Sequence, residues 1–109
     1  MQTPEQRLDY LNSRVTSAIL HAEHLSLGRE RQAAYWEVAN LEEEIAMICP
    51  AGTVEGDVAR HGAITASIEA NELVRAYALA NRYLSETPSA PGLEELKDEI
   101  LRKVYGDSR

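Results

Sequence analysis

The sequence predicts an all-α fold, either an antiparallel helical bundle or a short α-solenoid-like array of four to five helices. Three observations predict it. Apolar residues recur at intervals of three and four over most of the chain, the spacing that lines them up on one face of a helix. The strict apolar–polar alternation of a half-buried strand occurs nowhere. Glycine and proline punctuate the pattern at four places, Pro4, Gly28, Pro50 to Gly56 and Pro88 to Gly92, and the intervening segments are long enough for helices. With 109 residues the chain reads as a single helical domain over 1–109, made of a hairpin at 4–49, a second hairpin at 53–87 and a C-terminal helix at 91–105.

The first helix follows from Leu8, Leu11, Val15, Ala18, Ala22 and Leu25, which share one stripe. Thr3 is placed to cap it, because a hydroxyl accepts from an orphan amide while Pro4 at the first helical position gives up no hydrogen bond. The second helix, from Arg29 to Ile48, carries Ala34, Val38, Leu41, Ile45 and Ile48 at the same spacing, and Pro50 stops it. The loop centred on Ser26 to Gly28 is so short that the two helices must be antiparallel neighbours.

Residues 53–86 hold a continuous stripe, Ala59, Ala63, Ala66, Ala70, Leu73, Tyr77, Ala80 and Leu84, compatible with one long helix. Globular helices average about 11 to 12 residues, however, and Asn71 interrupts the stripe's surroundings, so two helices breaking near Ala70 to Glu72 are expected. The last helix, 91–105, turns Leu93, Leu96, Ile100 and Val104 inward, with Gly106 in the left-handed position after it.

Within the second hairpin, Leu73, Ala76, Ala80, Tyr83 and Pro88 stand at spacings that resemble the second helix of a tetratricopeptide repeat. The resemblance covers residues 71–88. It implies a fragment of an α-solenoid whose concave face holds a peptide or another helix.

Composition narrows the function classes. The net charge is −7, from 18 acidic against 11 basic residues spread along the chain, which argues against a nucleic-acid partner. No apolar run is long enough to cross a bilayer, and the start lacks the basic-then-apolar layout of a signal peptide, so no membrane partner and a cytoplasmic location are expected. Cys49 is the single cysteine, which excludes an internal disulfide and suits a reducing compartment; in the last turn of the second helix it reads as core filler. No motif implies a cofactor, and no catalytic or metal-ligating set is assigned.

Three groups stand out as partner-binding candidates. Tyr35 and Trp36 are adjacent, about 100° apart on a helix, so both cannot face one core and at least one is left for contact. Glu42, Glu43 and Glu44 lie toward the negative end of the second helix, while Arg29 and Arg31 sit at its positive end. Both groups oppose the macrodipole. Pairing across the hairpin, Arg7 with the glutamates and Glu23 with Arg29 or Arg31, accounts for this; the sharper reading is an acidic patch that steers a basic partner. Asn71, Arg75 and Arg82 share the face opposite Leu73, Tyr77, Ala80 and Leu84, where two guanidiniums and an amide can clamp a carboxylate.

These features together point to a small acidic helical module, homo-oligomeric because its alanine-rich core is thin, that binds a protein or peptide as adaptor, accessory subunit or inhibitor and is not an enzyme. The alternative is a small helical enzyme or ligand-sensing bundle. It would use Arg14 and His21, one heptad apart as in compact all-helical ribonucleases, with His24, or else Glu42 to Glu44 with magnesium as in all-helical pyrophosphohydrolases.

Overall fold

In the computed structural model of the protein, which describes residues 1–106, Thr3 opens the first helix in the expected way. Its hydroxyl accepts from the Gln6 amide at 3.1 Å and the Gln6 side chain accepts from the Thr3 amide at 2.9 Å, a reciprocal capping box before helix α1, Pro4–Glu23. Helix α2 spans Arg29–Ile48, α3 Val54–Glu69, α4 Leu73–Glu86 and α5 Leu93–Tyr105, and no strand occurs among the described residues.

The second hairpin is two helices. Asn71, at φ 60°, takes the left-handed conformation one residue past the Ala70 cap. The Glu72 amide then reaches back to the Ser67 carbonyl at 2.8 Å and the Asn71 amide to that of Ile68 at 2.9 Å. This is a Schellman closure, which satisfies the last carbonyls of α3 and turns the chain. Gly106 also has positive φ, but its ψ of 164° puts it outside the left-handed helical region expected of it.

Each helix packs on its sequence neighbours and α3 also meets α5, so the chain is an array of successive hairpins with α3 in the middle. The Cα envelope, 51 × 35 × 17 Å, is no more than two helices thick. Two buried clusters result. One joins Leu11 and Val15 of α1 with Val38, Leu41 and Ile45 of α2; the other joins Leu79 and Tyr83 of α4 with Leu93, Leu96 and Ile100 of α5. Helix α3 serves both, turning Ala59 and Ala66 to the first and Ala63, Ile64 and Ile68 to the second. A helix with two buried faces is apolar nearly all round, which is why small residues dominate it.

The inward stripes of α1, α2 and α3 are those the spacing predicts. In α4 the buried residues are Ala76, Leu79, Ala80 and Tyr83, a stripe rotated from the expected one, and Tyr77 lies on its exposed edge. In α5, Val104 is also exposed, because the apolar groove that it lines with Leu73, Val74 and Tyr77 of α4 is open to solvent. No helix of the described residues is long and apolar enough to cross a membrane.

The first two helices are closed at their C-termini by arginines from the helix that follows. Arg31 Nη1 donates to the carbonyls of Leu25 at 3.2 Å and Ala22 at 3.5 Å. This explains a cation at the positive end of α2: it serves the negative end of α1 instead. Arg60 of α3 does the same for α2, whose own last turn has no basic residue.

Candidate functional site

The predicted contact residues are distributed over several surfaces. Tyr35 packs against the first core with the Arg31 guanidinium 5.2 Å above its ring, and Trp36 is the outward member of the pair, 50% exposed. The three consecutive glutamates do not form one acidic patch. Glu44 pairs with Arg7 of α1, Glu43 pairs with Arg75 of α4, and Glu42 turns into the protein. Successive helical residues are about 100° apart, and α2 has neighbours on several sides, so the three carboxylates diverge.

The carboxylate clamp of Asn71, Arg75 and Arg82 is likewise not assembled. Asn71 belongs to the turn that closes α3. Arg75 is committed to α2, donating to the Glu43 carboxylate and to the side-chain amide oxygen Oδ1 of Asn40, the latter at 2.7 Å. Arg82 alone stays exposed on the outer face of α4.

The burial of Glu42 is the feature that sequence reading missed. Its residue is 9% exposed, and its carboxyl has no hydrogen-bond or ion-pair partner among the described residues. Burial alone pushes it up to about 7 from an ordinary 4.5, since no counter-charge offsets the lost hydration. It can lie there because position 62 is glycine: a Cβ at Gly62 would overlap the carboxyl oxygen and stand 2.7 Å from its carbon. The signal in the sequence was Val38, Glu42 and Ala46 at intervals of four, which sets Glu42 on the buried edge of α2 opposite a helical glycine.

Glu42 and Gly62 sit in a groove of about 290 Å³ bounded by α1, α2 and α3. Ile19, Tyr35, Val38 and Ala66 supply an apolar lining, Thr65 a hydroxyl, and Glu23, Glu69 and Arg31 line it as well. Arg31 Nε is buried without a hydrogen-bond partner.

A second surface lies between α4 and α5. Leu73, Val74, Tyr77, Leu101, Val104 and Tyr105 line an apolar groove of about 250 Å³, in which Val74 is 87% and Tyr105 68% exposed. Lys97 stands 5.7 Å over the Tyr77 ring.

Of the residues of the enzymatic alternative, Arg14, His21 and His24 are on the outside, whereas Glu42 is buried. Arg14 is held by the Tyr10 hydroxyl and the Glu37 carboxylate at 2.9 and 2.6 Å. His24 Nδ1 is 2.7 Å from the Leu20 carbonyl of its own helix, and His21 is exposed. Among the described residues no group of three His, Cys, Asp or Glu is placed to hold a metal ion. Cys49 is buried beside Glu55, and burial followed by that carboxylate raises its thiol, the opposite of what a nucleophile needs. No protein-family model, curated protein or solved structure matches the chain.

Proposed function

We propose that this chain is a small acidic helical protein-protein interaction module without a catalytic role, and that the α4–α5 groove is its contact face, occupied by the same face of a second copy. The observation that carries the reading is the exposure of Val74, Tyr77, Val104 and Tyr105 side by side. Soluble domains seldom leave contiguous apolar side chains open in this way, which supports a contact surface. A specific two-fold interface buries about 1,000 Å² or more, so the pairing has to extend from this groove over the neighbouring surfaces of α4 and α5. The aromatic content fits, since tyrosines give large contact area at low entropic cost.

The resemblance of 71–88 to a tetratricopeptide helix supports the same reading, because α4 is the helix that resembles a repeat element and also presents the face. Trp36, half-exposed on α2, is left for a further protein partner. The single free thiol of Cys49 suits a reducing compartment such as the cytoplasm.

Sedimentation equilibrium on the wild type and on Val74→Asp tests the proposal. The wild type should dimerise with a micromolar dissociation constant. Val74→Asp should weaken association at least tenfold with unchanged helical circular dichroism, since Val74 contributes almost nothing to the core. A wild type that stays monomeric at hundreds of micromolar, or a variant that associates as tightly, overturns it.

A further inference from the structure

The groove between α1, α2 and α3 has features that the fold does not need. The Glu42 carboxyl at its wall, on a residue only 9% exposed, has no hydrogen-bond or ion-pair partner among the described residues and keeps its remaining access through the groove, although burying an acid costs stability unless a counter-charge or hydrogen bonds are supplied. The wall around it is apolar along one side, from Val38 and Tyr35 of α2 to Ala66 of α3 and Ile19 of α1. Glycine at position 62 keeps open the space the carboxyl occupies, at the cost of helix propensity in the middle of α3.

We propose that this groove binds a primary alkylammonium group on an unbranched aliphatic stem, with the ammonium on the Glu42 carboxylate and the stem along Val38, Tyr35 and Ala66. Several observations select this chemistry. The groove's one cation, Arg31, is turned through Nη1 to the carbonyls of Ala22 and Leu25, while Glu23 and Glu69 join Glu42 in the lining, so acids outnumber the guanidinium three to one and the chain's net charge of −7 adds to the negative potential. Glu42 lies with a carboxyl oxygen against the Gly62 backbone, which leaves poor access for the two-pronged approach of a planar guanidinium and suits the compact point charge of an ammonium. Thr65 donates its hydroxyl proton to the carbonyls of His61 and Gly62, at 3.1 and 3.2 Å, so its oxygen lone pairs remain for a second ammonium proton. A metal ion is disfavoured, because no three ligating side chains among the described residues converge there. An ammonium bound at Glu42 would supply the missing counter-charge, and the carboxyl would ionise fully at neutral pH.

The same chemistry has two sources, a free alkylamine or the lysine side chain of a protein. Amide-resolved NMR titrations of the full chain separate them, using n-pentylammonium and Nα-acetyl-lysine methylamide as probes, with n-pentanol and pentanoate as comparators. Saturable shifts at Gly62, Thr65 and Ala66 are expected with n-pentylammonium, together with a fall in the Glu42 titration midpoint seen by carboxyl carbon shift. Glu42→Gln should lose at least tenfold in affinity while keeping the fold, since the amide is isosteric. Equal binding of the blocked lysine supports a protein side chain as the source; failure of the blocked lysine while n-pentylammonium binds supports a free amine. No saturable shift with n-pentylammonium to tens of millimolar, n-pentanol binding as tightly as the amine, or Glu42→Gln binding unchanged would each overturn the proposal. Dimerisation through α4–α5 is read separately, so either result stands without the other.

Discussion

Arg60 Nη1 donates to the carbonyl of Cys49 across 2.8 Å, so that a cation from the second turn of α3 closes the C-terminus of α2. The same guanidinium donates to Ala46 at 3.1 Å and Gly56 at 3.0 Å, and its Nε to Glu86 at 3.0 Å. The Tyr83 ring lies 5.4 Å from its centre. One side chain, 7% exposed, therefore links α2, α3 and α4.

Replacing Arg60 tests that role. Arg60→Met keeps most of the stem but leaves the carbonyls of Ala46 and Cys49 without a donor, and should cost about 3 kcal/mol or more in urea unfolding. Arg60→Lys should recover only part of this, because an ammonium cannot reproduce the planar spread of donors. A loss below about 1 kcal/mol for Arg60→Met would show that water replaces these bonds.

Glu42 gives a pH dependence of defined sign. Its folded value of about 7 lies above the ordinary 4.5, so between those limits the folded chain holds a proton that the unfolded chain releases. Stability is then present in full below about pH 4.5 and falls as pH rises through 7, by up to about 3 kcal/mol. Glu42→Gln removes this slope. The variant should match the wild type near pH 4.5 and exceed it in stability at pH 8, measured by denaturant unfolding across the range; parallel curves would show that the wild-type carboxyl is hydrated.

Gly62 and Gly56 separate side-chain from backbone crowding. A Cβ at Gly62 meets the Glu42 side chain, whereas one at Gly56 meets the backbone carbonyls of Pro50 and Cys49, the second at 2.8 Å. Gly62→Ala should destabilise the wild type by about 1 to 3 kcal/mol yet stabilise a Glu42→Ala background by up to about 1 kcal/mol, since alanine is the better helix former. Gly56→Ala should cost more and gain nothing from that background. The double-mutant cycle on positions 42 and 62 measures the coupling directly.

Asn71 is a conformational residue and should behave as one. Asn71→Gly is expected to be neutral or slightly stabilising, and Asn71→Val to cost about 1 to 2 kcal/mol, because a branched side chain at φ 60° collides with its own backbone. Thermal unfolding distinguishes the two. An indifferent Asn71→Val would mean that the turn between α3 and α4 tolerates another geometry.

The helices and most of their buried stripes are legible in the order of the residues alone. Capping by Thr3, the turn at Gly28, the stop at Pro50 and the break at Asn71 are local, settled within a few residues by hydrogen bonding and allowed backbone angles, and they read directly from the residue order. Helix periodicity likewise set Leu11, Val38, Ala63 and Ile100 inward. How charges are apportioned between helices emerges only from the packing of the folded chain. Glu42, Glu43 and Glu44 are chemically alike in the sequence, yet one is buried against Gly62 and the others pair with α4 and α1. Arg31 and Arg60 oppose or ignore their own helices and serve the carbonyl ends of the preceding ones. The inward stripe of α4 shifted, and Val104 and Tyr105 stayed open in the groove they line with α4, because periodicity does not encode which side chains of two packed helices meet. A helical pattern reports which residues share a face; which neighbour that face meets depends on contacts between residues tens of positions apart.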